Sequence, residues 1–287
     1  SGYSDLVHGR IQRGRVVDGH GHQGAVDALA QVVDLVAHRD GVRLEEVDAF
    51  TGHIVLSERS EGLDRVRIMS VADGSIADVE FPDPVFTSWV GANLDYDTAT
   101  LRVGYTSLVA PATDFDVGMA TLAKTVVKTQ PVPGYDATLY TSARLWAPAP
   151  DGVRVPISLV HRRDTPIDGS APALLYGYGA YEHSIDPAFR ASRLALLDRG
   201  FVFAIAHVRG GGELGRGWYE GGRLAHKENT FSDFIAAAEH LRVTGYAAEG
   251  RLVARGGSAG GLLMGAVANL RPDLFAAIVA EVPFVDV

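Results

Sequence analysis

The five residues Gly256 to Gly260, "GGSAG", set one hydroxyl among glycines. They follow the apolar run "RLVARG" and precede "GLLMGAVANL", a run of helical length. G-x-S-x-G between a strand and a helix is the pattern of a nucleophile elbow. The serine sits in a strained turn at the carboxyl end of the strand, and the glycines let strand and helix close up around it. The helix then aims its free N–H groups and positive dipole end at the oxyanion that forms when a hydroxyl adds to a carbonyl. Ser258 is thereby the candidate nucleophile of an acyl-transfer reaction. A flexible glycine turn with an incidental serine is the bland alternative, and the strand before and helix after weigh against it.

A second glycine pattern points elsewhere. Gly210, Gly212 and Gly215 in "RGGGELG" match G-x-G-x-x-G after the apolar run "FVFAIAH", as a dinucleotide-binding turn would. The residues that follow, "RGWYEGGRLAHKENT", bring more glycines and bulky aromatics, and no helix is expected before Thr230. A pyrophosphate would find no helix N-terminus there, so a long rim loop beside the active site is the expectation.

The elements that must position Ser258 are legible as runs. "ALLYG" (Ala173 to Gly177), "FVFAIAH" (Phe201 to His207), "RLVARG" (Arg251 to Gly256) and "AAIVAEV" (Ala276 to Val282) are apolar throughout and of strand length. Helical patterns separate them. In one, Phe231, Phe234, Ile235, Ala238 and Leu241 share a face, Thr230 and Asp233 form a capping-box pattern, and Gly245 stands at the far end. Uniformly apolar strands alternating with helices predict a doubly wound, mostly parallel sheet covered on both faces. Upstream, "GHIVLSER", "DRVRIMSV" and "TLRVGYTS" alternate in polarity between turn signals such as "ADGS" and "FPDP", which predicts antiparallel strands. They fall into two groups of roughly four, about 45 residues apart, the period of β-propeller blades. Two blades do not close a ring of about four to eight.

Composition bounds the rest. A hydrophobic content of 47% with 21% charged residues is enough for a sizeable core, and no uncharged apolar stretch approaches the roughly 18 residues of a membrane span. The net charge of −9 disfavours a nucleic-acid surface and favours cationic partners. With no cysteine there are no disulfides and no thiolate metal sites, which suits a reducing, cytoplasmic setting. The chain opens on Ser1 and stops at "VPFVDV" soon after a strand-like run, so a fragment is expected.

From about Lys124 onward, "PVPGYD", "LLYGYGAYEHSIDPAF", "SRLALLDRGFVFAIAHVRGGGELGRGWYEGG", "KENTFSDF", "GGSAGGLLMG" and "AEVPFVDV" lie in one order. In that order they resemble the prolyl oligopeptidase family, and most closely its oligopeptidase B branch. The likeness extends more loosely over the β region and fades before about Val33. It implies an α/β-hydrolase domain, incomplete here, preceded by the last blades of a seven-bladed propeller. The expected division is 1–32 unassigned, 33–128 about two blades, and 129–287 the N-terminal part of the catalytic domain. The resemblance further implies cleavage of short peptides after Lys or Arg with no metal or organic cofactor. Ser258 matches the catalytic serine, the Ala259 N–H one oxyanion donor, and Tyr178 the tyrosine whose hydroxyl is the other. Asp186 in "SIDPAF" resembles one of two acidic residues that hold a basic side chain next to the scissile residue; the second position here is Ala188.

The remaining triad members are missing. The hydrolase order is Ser, then Asp or Glu, then His, and after Ser258 stand only Asp273, Glu281 and Asp286, with no histidine. All ten histidines precede Ser258, and His207 and His240 are expected to be ordinary packed residues. Two other classes stay open on the residues alone: an esterase or lipase sharing the elbow, and a non-catalytic interaction module.

Overall fold

The computed structural model describes residues 35–39 and 41–284. The chain divides into two compact units, Ser1–Asp40 and Gly41–Val287. The unassigned 1–32 segment lies outside the described residues, and all that follows concerns the second unit.

The first strands are β1 (Val42–Ala49), β2 (His53–Ser60), β3 (Leu63–Ser70) and β4 (Ile76–Asp78), paired in that order as an antiparallel meander. A second meander contains β5 (Phe86–Val90), β6 (Thr100–Ser107), β7 (Thr113–Gly118) and β8 (Lys124–Thr129). Val42 and Phe86 begin them, 44 positions apart, as the blade period predicts. Local chemistry sets each hairpin. Glu61 and Gly62, between β2 and β3, both take positive φ, 52° and 77°, the two-residue turn whose twist matches that of the strands. In the second blade Trp89 lies opposite Gly104, where a methyl group would come within 2.1 Å of the indole, so the glycine makes room for the ring. Inward residues Val55, Val66, Ile68, Leu101, Val103 and Val117 form one apolar cluster across both blades.

The remaining strands make one six-stranded sheet. They are β9 (Tyr140–Pro148), β10 (Arg154–Arg162), β11 (Ala173–Gly177), β12 (Val202–Ala206), β13 (Leu252–Gly257) and β14 (Ala277–Glu281), in the order β14-β13-β11-β12-β10-β9. The four apolar runs are its parallel part, while β9 and β10 add an antiparallel edge. The helices are α1 (Ala191–Leu197), α2 (Arg216–Glu220), α3 (Glu228–Val243) and α4 (Ala259–Leu270).

Strands β11 and β12 are apolar throughout because both faces are covered. Leu175 and Ala204 join Phe234, Leu241, Leu263 and Met264 of α3 and α4. Their neighbours Leu174, Phe203 and Ile205 pack with Leu197 of α1 and with Leu63, Val85 and Leu108 from the blades. Burying a side chain such as Phe234, which has no exposed surface, is worth roughly 1.5–3 kcal/mol. That ties the helix layer, and with it the start of α4, to the sheet.

Two expectations need correction. Helix α3 begins at Glu228, so Thr230 and Asp233 lie inside it and form no capping box. Both are fully buried and face the loop after β12: the Thr230 hydroxyl donates to the Arg209 carbonyl at 2.7 Å, and Asp233 accepts from Arg209. A helix also follows Gly215 directly, though α2 has only five residues. Gly210 and Gly212 serve close packing instead: a methyl on either would meet the backbone oxygen of Gly179 or Glu182 at 2.3 Å.

Candidate active site

Ser258 stands between β13 and α4 with φ 53° and ψ −117°, a backbone conformation that costs a residue with a side chain about 1–3 kcal/mol. The surroundings hold it there. Its N–H donates to the Glu281 carbonyl on β14 at 2.9 Å, and its own carbonyl accepts from Gly261 and Phe284 at the same distance. The flanking glycines are steric requirements. A methyl on Gly256 would meet the Gly260 oxygen at 2.4 Å and the Gly177 oxygen at 2.9 Å, and one on Gly261 would meet Pro283 at 2.4 Å. Strand and helix thus close to backbone contact around an exposed Ser258.

Ala259 is the first residue of α4 and buried, so its N–H has no acceptor within the helix. Tyr178 follows β11 and reaches the same place. A methyl on Gly260 would lie 3.3 Å from the Tyr178 Cα and 3.4 Å from its ring. The ring meets His183 edge-on, 5.4 Å between centroids at 78°. The loop that carries it is fixed by Lys227, whose ammonium donates to the Gly179 carbonyl at 2.5 Å and whose burial brings its pKa down to about 8. Lys227 opens the segment "KENTFSDF", but sequence reasoning gave it no role. The structure therefore gathers Ser258, Ala259 and Tyr178 at one end of the parallel strands, where ligands bind in open α/β sheets.

Asp186 stands apart from the elbow. It lines a cavity of about 1410 Å³ that also touches Tyr176, Arg255 and Glu281, the strand ends beside Ser258. There it accepts a hydrogen bond from Arg59 Nη1 of β2 at 2.9 Å. Arg59 also meets Asp64 at 2.5 Å and Glu45 at 3.3 Å. Burial works against its charge, yet Asp186, Asp64 and Glu45 together raise its pKa. Asp64, pushed up to about 6, is lifted by burial first and by the charge of Asp186 next. Arg59 is a second residue to which sequence reasoning gave no role.

His207 follows β12 and is fully buried. Its Nε2 lies 2.8 Å from the Ser158 hydroxyl, which accepts from Arg144, and its Nδ1 is 3.4 Å from Glu213. Burial holds its pKa down, so it is a neutral packed histidine, as its place in the apolar run predicts. Both ring nitrogens are engaged away from Ser258.

Four parallel strands, an antiparallel edge and a strained serine at the start of a helix define an α/β-hydrolase fold, here preceded by two blades of a β-propeller. The model described as the prolyl oligopeptidase family matches residues 187–287, and that of the prolyl oligopeptidase N-terminal β-propeller domain matches residues 25–130. The chain belongs to the prolyl oligopeptidase family.

It is 48% identical over 255 residues to dipeptidyl aminopeptidase BI of Pseudoxanthomonas mexicana, covering 88% of this chain and 35% of that protein. It is 42% identical over 260 residues to protease 2 of Moraxella lacunata, covering 90% and 37%. Among solved structures, oligopeptidase B from Trypanosoma brucei with covalently bound antipain aligns with TM-score 0.79 and 43% identity, over 87% of this chain and 37% of that one. The chain therefore spans little more than a third of the length of these relatives. Among the described residues no helix is long and apolar enough to cross a membrane.

Proposed function

We propose that this chain supplies the nucleophile and both oxyanion donors of a cytoplasmic serine peptidase, of its relatives' length, that cleaves short peptides after Lys or Arg. The observation that carries the reading is Ser258 itself, held at positive φ between β13 and α4 by backbone hydrogen bonds and by glycines that let strand and helix close around it. In the first step Ser258 Oγ adds to the scissile carbonyl carbon and gives its proton to a general base. The carbonyl oxygen, now an oxyanion, takes hydrogen bonds from the Ala259 N–H and the Tyr178 hydroxyl. The C–N bond then breaks, the leaving amine takes the proton from the base, and water hydrolyses the acyl-enzyme.

No histidine follows Ser258 in this chain, and His207 is buried against Ser158 and Glu213. The 287 residues alone are accordingly expected not to turn over peptides. Preference for a basic side chain is supported by the net charge of −9, by the exposed carboxylate of Asp186 on a cavity whose other acidic residues are offset by five arginines, and by likeness to proteins named oligopeptidase B. On this reading Asp186 is the carboxylate that holds a basic side chain one residue further from the cleaved bond.

The test compares Arg-Arg, Ala-Arg and Ala-Pro reporter peptides, with free and with blocked amino termini, on the full-length protein. The proposal expects both arginine reporters to be cut far faster than Ala-Pro whether or not the terminus is blocked. Preference for Ala-Pro would move the protein to the prolyl branch, and a need for a free terminus would make it a dipeptidyl aminopeptidase. Cleavage of simple acyl esters with neglect of all three would make it an esterase.

A further inference from the structure

Arg59 presents a guanidinium to Asp186 where, on the proposed function, a substrate's basic side chain would lie. It comes from β2 of the first blade, 127 positions earlier in the chain, and its side chain is only 7% exposed. Within ion-pair reach its one guanidinium is shared among three carboxylates, Asp186, Asp64 and Glu45, in a cavity that Arg65, Arg190, Arg193 and Arg255 also line. The three partners are not equivalent. Asp64 is 13% exposed and also accepts from the Thr87 hydroxyl, whereas Asp186 is 37% exposed and lines the large cavity. The Asp186 limb is the one an incoming side chain can reach. Breaking it leaves Arg59 bound to Asp64 and Glu45, so exchange costs one charge-assisted hydrogen bond and strands no buried charge. Ala188, which lines the same cavity, offers no second carboxylate to share the load.

We propose that Arg59 is a built-in competitor for Asp186, so that a substrate's basic side chain binds this carboxylate only by exchanging with it, and Arg59 thereby sets how strongly the protein prefers dibasic peptides. The inference rests on the reading of Asp186 as a substrate-binding carboxylate. A guanidinium, which can replace the lost bond with a two-point contact, exchanges more readily than an ammonium. Arginine beside the cleaved residue is thus favoured over lysine.

The experiment measures kcat/KM for the Arg-Arg and Ala-Arg reporters on the full-length protein and follows their ratio. Arg59→Gln removes the competitor, and the ratio should rise about tenfold, the scale of one charge-assisted hydrogen bond, mainly through KM for Arg-Arg. Adding Asp186→Asn to Arg59→Gln should abolish the rise. Because Arg59→Gln leaves Asp64 and Glu45 without their cation, Arg59→Lys is made beside it. The lysine keeps the charge but does not span three carboxylates, and should give an intermediate rise. A ratio unchanged or lowered in both variants, yet still reduced by Asp186→Asn, overturns the competitor while leaving the subsite standing. A ratio indifferent to Asp186→Asn in every background removes the subsite, and the competitor with it.

Discussion

Arg209 and Asp233 are joined by three hydrogen bonds: the Arg209 backbone N–H and Nε both reach one carboxylate oxygen at 2.9 Å, and Nη2 reaches the other at 2.6 Å. Asp233 has no exposed surface and lies on α3, while Arg209 starts the glycine-rich loop after β12. The pair fixes that loop to the helix layer, and the loop in turn backs the segment carrying Tyr178, since Gly210 and Gly179 approach to backbone contact. Removing Asp233 takes away the buried partner of Arg209 and leaves its guanidinium only Asp151, a carboxylate 45% exposed, at 2.5 Å. Asp233→Ala should therefore cost roughly 1.5–3 kcal/mol of stability, the scale of lost buried hydrogen bonds to a charged group, seen as a lower midpoint in denaturant unfolding. A loss under about 1 kcal/mol would show the pair to be dispensable.

Tyr178 belongs to the chemistry only if its hydroxyl meets the transition state. Tyr178→Phe keeps the ring that packs on Gly260 and His183 and removes the donor. The expected result is a fall in kcat of about 10²–10³ with little change in KM, because the bond strengthens as negative charge develops on the oxygen. An unchanged kcat would return Tyr178 to a packing role.

Lys227 gives a pH dependence of definite sign. Burial lowers its pKa from the ordinary lysine value of 10.5 to about 8 in the folded chain, so between those limits the folded protein binds fewer protons than the unfolded one. Stability then rises with pH across that window, and the cost of the buried ammonium is felt in full below about 8. Comparing thermal midpoints of the wild type and Lys227→Met from pH 7 to 10 isolates the effect, since other groups titrate alike in both. The wild type should gain on the variant as pH rises, and a constant difference would contradict the burial argument.

How much of this was legible in the sequence depended on the range of the interaction. The strands β11 and β12 could be read because burial on both faces leaves their residues apolar, and the elbow because its glycines stand beside Ser258 in one short pattern, although the backbone they make room for includes Gly177 and Pro283. Thr230 and Asp233 were misread because a cap and a tertiary hydrogen bond call for the same short polar side chains. Only the position of Arg209 in space separates the two. Asp186 could be placed by resemblance, but nothing local reveals that an arginine from the first blade already occupies it. Blade spacing was readable, at 44 positions against about 45, because each meander repeats the same local turns.

The central claim is that Ser258 is the nucleophile, and the direct measurement is kcat of Ser258→Ala in the full-length protein on the Arg-Arg reporter. Loss of a triad nucleophile costs on the order of 10⁶ in kcat, and the account predicts a fall of that size with the fold intact by circular dichroism. Activity within tenfold of the wild type would contradict it.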